Sequence, residues 1–365
     1  MRKKLQVAIV FGGRSAEHEV SLQSARNVIN ALDKSKYEPV LVAIDRDGNW
    51  YLNSDSIPLL NEENPETIRL NRMGEEVTFI PRQGKGELIG LGSDKGSNQI
   101  DVVFPVLHGP YGEDGSIQGL MKLANLPFVG SGILGSAVSM DKDISKRLLR
   151  QAGLPVADYI VIRNASISDA EAAEIGERLG LPVFVKPANQ GSSVGISRAG
   201  NEKELIAAIQ EAAKFDRKIL VEQSITGREI ECAVLGNEQP IASIAGEIIA
   251  ADGFYSYDAK YIDENGAILE IPARISPSEL EEIQQTAIRA FQALECTGMA
   301  RVDMFLTKDG NIYVNEINTI PGFTKISMYP KLWDYSGIAY PELIDRLIQL
   351  AIEEHKASSS LRITR

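Results

Sequence analysis

Two segments near the carboxyl end, Ala300–Leu306 (ARVDMFL) and Ile312–Asn318 (IYVNEIN), have the length and composition of strands. The residues between them, Thr307-Lys-Asp-Gly-Asn311, are those of a hairpin turn. A hairpin here excludes a wholly parallel sheet and fixes which side chains meet. Side chains alternate between faces along a strand, so Arg301 and Asp303 share one face while Val302 and Met304 take the other. By the same rule Glu316 and Asn318 share a face, with Ile317 opposite. Pairing of the strands brings Asp303, Glu316, Asn318 and Arg301 into one patch. Three hard oxygen side chains without His or Cys suit Mg²⁺ rather than zinc. Mg²⁺ keeps several waters and completes its shell with substrate phosphates, so the patch implies a nucleotide. The plainer alternative is a solvated hairpin face, where charged residues are common. Asn318-Thr-Ile-Pro-Gly322 then turns sharply, leaving backbone N–H groups beside the metal position.

A phosphate-binding counterpart lies in the middle of the chain. In Val183–Ile196 (VFVKPANQGSSVGI) a strand delivers Lys186, and Gly191-Ser-Ser-Val-Gly195 forms a small loop. Glycines let backbone N–H groups approach phosphate oxygens, and the serine hydroxyls add donors. No Gly-Lys-Ser/Thr closes the loop, so it is not a Walker A motif. Taken alone it also fits an ordinary strand–turn. Gly130-x-Gly132-x-x-Gly135 formally matches a dinucleotide fingerprint, but a helix, Met140–Gln151, stands where a second strand with its ribose acid is required. These glycines read as an interdomain turn.

The first third alternates strand and helix patterns. Leu5–Phe11 is a buried strand, Val20–Leu32 has helical spacing, and Pro39–Ile44 is a second strand, an order that argues for parallel pairing. Residues 45–98 read as a hairpin or irregular insertion. Asp101–Leu107 resumes as a core strand, followed by a helix at Ser116–Ala124 and a strand-like Pro127–Val129. Phe11–Ser21 (FGGRSAEHEVS) puts a glycine turn at a strand's carboxyl end, where α/β ligand sites lie. Glu17 and Glu19 there either hold an ammonium group or serve as first-turn acids of a helix. His108–Gly119 (HGPYGEDGSIQG) is a similar loop, with a helix start capped by Asp114 or Ser116 as the alternative. Ser276-Pro-Ser-Glu279 is a capping box opening a helix lined by Leu280, Ile283, Ala287, Phe291 and Leu294 and stopped at Gly298. The last eleven residues are expected to fray.

Composition narrows the function. The chain has 365 residues, enough for two or three domains, and a formal charge of −12, which disfavours bulk nucleic-acid binding. Two cysteines and three histidines (His18, His108, His355), with no HExxH, exclude a disulfide framework and zinc hydrolysis. Apolar runs such as Val7–Phe11 are strand-sized, and the start MRKKLQVAIVFGG reaches glycines too soon for a signal peptide. The expectation is a cytoplasmic multidomain enzyme with no membrane partner.

In their order, FGGRSAEHEVS, HGPYGEDGSIQG, VKPANQGSSVGI, LVEQSITGREIE, YSYDAKY, ARVDMF and NEINTIPGFT resemble the ATP-grasp superfamily and, within it, the D-alanine–D-alanine ligases, essentially end to end. The resemblance implies an α/β fold, α+β in the ATP-grasp part. An N-terminal parallel α/β substrate-binding domain (1–135) would be followed by a central ATP-grasp subdomain (136–227) and a C-terminal one (228–365) with metal site and lid loop. It implies Asp303, Glu316 and Asn318 as ligands of two Mg²⁺ (or Mn²⁺), with Glu316 bridging. Lys142 and Lys186 are implied on the ATP phosphates under the Ser192-Ser193 loop. Glu222, Ser224 and Ile225 fall in the adenine hinge, and Glu229 on the ribose. Glu17 is implied to hold the first D-alanine's ammonium group, with His108 nearby. Arg301, Gly322 and Ser327 surround the oxyanion and the second carboxylate. Tyr261 seals the site with Ser192 and Glu17, Lys260 reaches the γ-phosphate, and Gly246–Tyr261 is the lid candidate. Gln223 departs from the lysine that follows the hinge glutamate in many relatives, which bears on base contacts. A homodimer is also implied.

The expected activity is ATP-dependent ligation of two D-alanines through an acyl phosphate, for the peptidoglycan stem. One rival is a D-alanine–D-lactate ligase, against which Tyr261 argues. Another is a catalytically dead nucleotide-binding regulator, against which the set of Asp303, Glu316, Asn318 and Arg301 argues.

Overall fold

The apolar run Val7–Phe11 is fully buried and forms the middle of β1 (Leu5–Gly12). In the computed structural model, residues 3–53, 59–60, 69–70, 74–80, 86–91, 98–163, 165–250 and 267–362 are described. β1 is followed by α1 (His18–Ala31) and β2 (Tyr37–Ile44), and pairs in parallel with β2 and with β3 (Val102–Val106). The insertion extends this sheet beyond β2 through antiparallel strands at Trp50–Asn53, Glu75–Ile80, Glu87–Gly90 and Asn98–Gln99, making seven strands in all. Pro127–Val129 contributes only a bridge between Phe128 and Val103.

After α2 (Ser116–Leu123) comes a helix not expected from the sequence, α3 (Ile133–Met140), and the helix expected over Met140–Gln151 is α4 (Lys142–Gln151), which starts two residues later. Asp141 separates them: its backbone is extended, and its side chain accepts the N–H groups of Asp143 and Ile144, capping α4. Of the glycines before it, Gly130 needs its left-handed φ of +100°, and a Cβ on Gly135 would stand 2.5 Å from the Glu295 carbonyl oxygen.

The middle of the chain forms β4 (Tyr159–Ile162), α5 (Asp169–Leu179), β5 (Val183–Pro187), β6 (Ser197–Ala199), α6 (Glu202–Ala212) and β7 (Ile219–Gln223). Their antiparallel sheet has the order β4-β7-β5-β6, and Val183, Val185 and Val221 form its core with Leu205 and Ile209 of α6. A third, five-stranded sheet follows, from β8 (Arg228–Gly236), β9 (Ile241–Ala250), β10 (Ala267–Glu270), β11 (Gly298–Leu306) and β12 (Ile312–Asn318), in the order β10-β9-β8-β11-β12. The lid candidate therefore begins as strand, since Gly246–Ala250 belong to β9. Its remainder, with Lys260 and Tyr261, lies outside the described residues.

α7 (Pro277–Ala293) carries the expected capping box between Ser276 and Glu279 and packs Ile283, Ala287 and Phe291 under the third sheet. The helix ends earlier than expected: Glu295 turns left-handed at φ 54°, and Gly298 opens β11 instead of stopping the helix. Two helices then return to the first sheet, α8 (Met328–Tyr335) and α9 (Tyr340–Ser359). Trp333, Leu343 and Leu347 share a core with Val7, Ile9 and Phe104. α9 reaches Ser359, so the first five of the eleven residues expected to fray are helical. No described helix is long and apolar enough to cross a membrane.

Candidate active site

β11 and β12 pair as expected, with Asp303 opposite Glu316 and Arg301 opposite Asn318. The burial pattern of β11 alternates, leaving Arg301 and Asp303 partly exposed between buried Ala300, Val302 and Met304. The register shifts after Asp303, so that Met304 faces Val314 and Asn315 is the extra residue of a bulge. Arg301 lies in the plane of acids. Its Nε and Nη2 donate to the two Asp303 oxygens, each at 2.7 Å, and Nε also lies 2.9 Å from Glu231 Oε2. Asn318 Nδ2 donates to Asp303 Oδ2 at 2.9 Å. Among the described residues no group of three or more His, Cys, Asp or Glu is placed to hold a metal. The donor set is two carboxylates and an amide, which fits an ion that takes hard oxygen ligands and fills its shell with water and phosphate.

Asp303, Glu316 and Glu231 form one wall of a cleft of about 530 Å³, whereas Arg301 and Asn318 are not among its lining residues. Lys142, Lys186, Ser192, Ser193, Glu222, Ser224, Ile225 and Glu229 line the rest. Lys142, the first residue of α4, places Nζ 3.5 Å from Glu316 Oε2 and 2.7 Å from the Gln190 carbonyl. Lys186, on β5, lies 3.0 Å from Glu222 Oε2 and donates to Asn315 Oδ1 at 3.2 Å. Glu222 is also bonded to Lys146, whose Nζ is 2.9 Å from Oε1. Burial drives the Glu222 carboxyl upward, but the Lys146 and Lys186 charges outweigh it and hold it below the usual carboxylate range. Glu222 is thus the anchor of two lysines near the end of β7.

The loop after β5 bends through two consecutive non-glycine residues in the left-handed region, Ser192 at φ 49° and Ser193 at φ 62°. Such conformations cost about 1–3 kcal/mol each and persist where surrounding contacts over-determine them. Asp216 supplies one contact, accepting from the Asn189 N–H at 2.8 Å and its side-chain amide at 2.9 Å. Glu17 supplies another, accepting from the Ser192 hydroxyl. Gln190 and Gly191 line both the main cleft and a second cavity of about 440 Å³ bordered by Arg14, Glu17, Arg46 and Tyr111. The loop therefore stands between the two cavities.

Glu17 is buried at the turn before α1, and a Cβ on Gly109 would stand 2.7 Å from its Oε2. His108 is buried close by. Its Nδ1 lies 3.0 Å from the Ile320 carbonyl, which only accepts, so this nitrogen carries the proton. Nε2 then accepts from the Ser24 hydroxyl at 3.2 Å, and Ser24 Oγ accepts the Phe323 N–H at 3.1 Å. Burial lowers the His108 pKa, which agrees with a neutral ring. Glu113 accepts the N–H groups of Gly109 at 2.8 Å and Ile320 at 3.1 Å. Burial and then the Glu17 charge push its carboxyl up to about 8, against those donors and Arg301. His108, Ser24 and Glu113 together pin the Thr319–Phe323 turn to α1 and the loop after β3. Phe323 completes the attachment, packing edge-on against Phe104 and Tyr340.

On that turn, Gly322 lies against Ser327: a Cβ there would stand 2.7 Å from the Ser327 Oγ. Ser327 precedes α8 and accepts the Thr324 N–H at 3.0 Å. Asp114 serves the neighbouring loop, accepting from Tyr111 and Ser116 N–H, while Gly115 takes the N-cap position of α2.

Sequence reasoning did not find Lys146, Glu231 or Asn315. Lys146 follows Lys142 by one helical turn, and Glu231 alternates with Glu229 along β8, but neither spacing by itself marks a partner across the fold.

Two family descriptions match the chain: the D-ala D-ala ligase N-terminus over residues 6–131 and the D-ala D-ala ligase C-terminus over residues 148–349. A D-alanine–D-alanine ligase of Oceanobacillus iheyensis is 55% identical over 365 residues, covering 100% of this chain and 99% of its own. D-alanine–D-alanine ligase A of Escherichia coli is 52% identical over 362 residues, covering 99% and 100%. The solved D-alanine–D-alanine ligase of Coxiella burnetii superposes with a TM-score of 0.84 at 38% identity, over 98% of this chain and 96% of that one.

Proposed function

The chain belongs to the D-alanine–D-alanine ligase family, and from that premise we propose that it joins two D-alanines at the cleft between its second and third sheets, at the expense of ATP. The supporting observation is one cavity in which Lys142 and Lys186 face Asp303 and Glu316, next to a loop held by Glu17. The D-alanine–D-lactate alternative is not favoured, because the relatives at 52–55% identity are D-alanine–D-alanine ligases.

A carboxylate does not surrender its oxygen to an amine, so the first D-alanine attacks the γ-phosphorus and becomes an acyl phosphate. Lys142 and Lys186 offset phosphate charge and orient the triphosphate, since phosphoryl transfer depends on positioning and charge neutralisation. Two Mg²⁺ held by Asp303, Glu316 and Asn318 would supply further charge neutralisation at the phosphate oxygens. The hinge Glu222–Ile225 takes the base and Glu229 the ribose. Glu17 takes the first substrate's ammonium group, and His108 supports that pocket through the turn it holds. The neutral amine of the second D-alanine then attacks the acyl carbon, and the tetrahedral adduct collapses with loss of the amine proton, breaking the C–O bond and expelling inorganic phosphate. The Arg301 guanidinium and the Gly322 N–H stabilise the oxyanion, such donors typically contributing about 2.7–4 kcal/mol each. Ser327 receives the second carboxylate. Water must be excluded while the acyl phosphate lives. The Ser192-Ser193 loop, with Tyr261 and Lys260, is assigned that task. We place the enzyme in the cytoplasm as a homodimer that supplies the peptidoglycan stem.

The test is ADP release and dipeptide formation with ATP, Mg²⁺ and D-alanine, with L-alanine and D-lactate as comparisons across pH. D-alanyl-D-alanine as the main product supports the reading. No D-alanine-dependent ADP, or a main product with D-lactate at neutral pH, overturns it.

A further inference from the structure

The most buried cation at the site belongs to no part of the reaction derived above. Lys146 projects from α4 with 1% of its side chain exposed and does not line the cleft, whereas its partner Glu222 does. Glu222 is shared: Oε1 meets Lys146 at 2.9 Å and Oε2 meets Lys186 at 3.0 Å. Asn315, the bulged residue of β12, binds the same two lysines, its carbonyl accepting from Lys146 at 3.2 Å and its amide oxygen from Lys186 at 3.2 Å.

We propose that Lys146 is a positioning residue for Lys186, neutralising Glu222 from behind so that the Lys186 ammonium keeps its charge for the phosphates. The inference rests on the cleft being a nucleotide site. With one lysine, the buried carboxylate would bind Lys186 as a closed ion pair of no net charge. With two lysines the trio carries one net positive charge, and Lys186 is the lysine of the pair that lines the cleft. Removing one partner of a buried ion pair leaves the remaining charge under-compensated, so the surviving bond tightens at the expense of any ligand. Burial lowers the Lys146 pKa, with Glu222 opposing and Lys186 adding to the effect.

The experiment is calorimetric titration of Mg-ADP into the full-length wild type, Lys146→Met and Lys146→Met/Glu222→Gln, with steady-state KM values and a melting curve for each. Lys146→Met should weaken Mg-ADP binding at least about tenfold, the scale of one charge-assisted hydrogen bond. KM for ATP should rise in parallel, while KM for D-alanine stays within about twofold. Because Glu222 is also assigned to the base, the double variant is compared with the single one using Mg-tripolyphosphate, which has no base. Removing the carboxylate as well should recover much of the lost phosphate affinity, because Lys186 is then released. A purely structural lysine would show no such recovery. If Lys146→Met does not fold, Lys146→Gln removes the charge and keeps a donor for the Asn315 carbonyl, and the same comparison applies. Unchanged Mg-ADP affinity in a folded single variant, or a double variant no better than the single, overturns the role of Lys146 and leaves the ligase reading standing. A wild type that never binds Mg-ADP overturns both.

Discussion

Ser192, in the loop after β5, donates its hydroxyl hydrogen to Glu17 at the turn before α1, so a loop of the central sheet is tied to the turn that follows β1 of the first sheet. The bond spans 175 positions of sequence and joins the group assigned to the ammonium of the first D-alanine to the loop assigned to the phosphates. Ser192→Ala should therefore raise KM for D-alanine by about tenfold, one charge-assisted hydrogen bond, and disturb nucleotide binding less. Steady-state kinetics with each substrate varied separately checks this.

Glu316 faces Asp303 across the hairpin and lies 3.5 Å from Lys142. Glu316→Gln keeps the shape and removes the charge. Turnover should fall by about 10²-fold or more, the scale of removing a preorganised electrostatic group. The Mg²⁺ concentration for half-maximal rate should rise as well. The melting temperature should stay near that of the wild type, because the residue sits on a partly exposed face. Near-normal activity would place the metal elsewhere.

Glu113 supplies a pH test. Its folded-state carboxyl is pushed up to about 8, whereas its ordinary value is 4.5, so the folded protein holds a proton that the unfolded chain releases. The associated stability is full below 4.5 and is lost as pH rises through 4.5 towards 8. Glu113→Gln removes that loss. The melting temperature of the variant relative to wild type should therefore climb between pH 5 and pH 8, about the range set by the two values. A difference that stays constant with pH contradicts it. His108 acts in the opposite sense in wild type: its pKa is lowered from 6.5, so its contribution is present above that value and declines as pH falls below it.

Ser276 is distant from the cleft and caps α7 through the Glu279 N–H, while Glu279 answers the Ser276 N–H. Ser276→Ala should cost about 1 kcal/mol of stability and leave kcat and both KM values unchanged. Denaturant unfolding and the standard assay separate the two effects.

The features legible in the sequence are those that depend on neighbours along the chain. The hairpin of Arg301, Asp303, Glu316 and Asn318 follows from a two-residue period and a turn, and the capping box of α7 follows from four adjacent residues. The Asn315 bulge is not legible, because a strict period of two leaves no room for an extra residue. Lys146 and Glu231 gain their meaning from partners far along the chain, and no local pattern announces a carboxylate shared by two lysines. α3 is not legible because Ile133–Met140 overlaps the glycines that read as a turn, while α4 falls where a helix is expected and starts two residues later, at the Asp141 cap. β9 escaped for a related reason: Ile241–Ala250 mixes small and apolar residues without clear alternation.

The most direct test of the account is a crystal structure of the protein with Mg²⁺ and a non-hydrolysable ATP analogue. The account predicts metal density touching Asp303, Glu316 and Asn318, with the phosphates between those acids and Lys142 and Lys186. A nucleotide bound at another cavity, with the acidic hairpin face open to solvent, contradicts it.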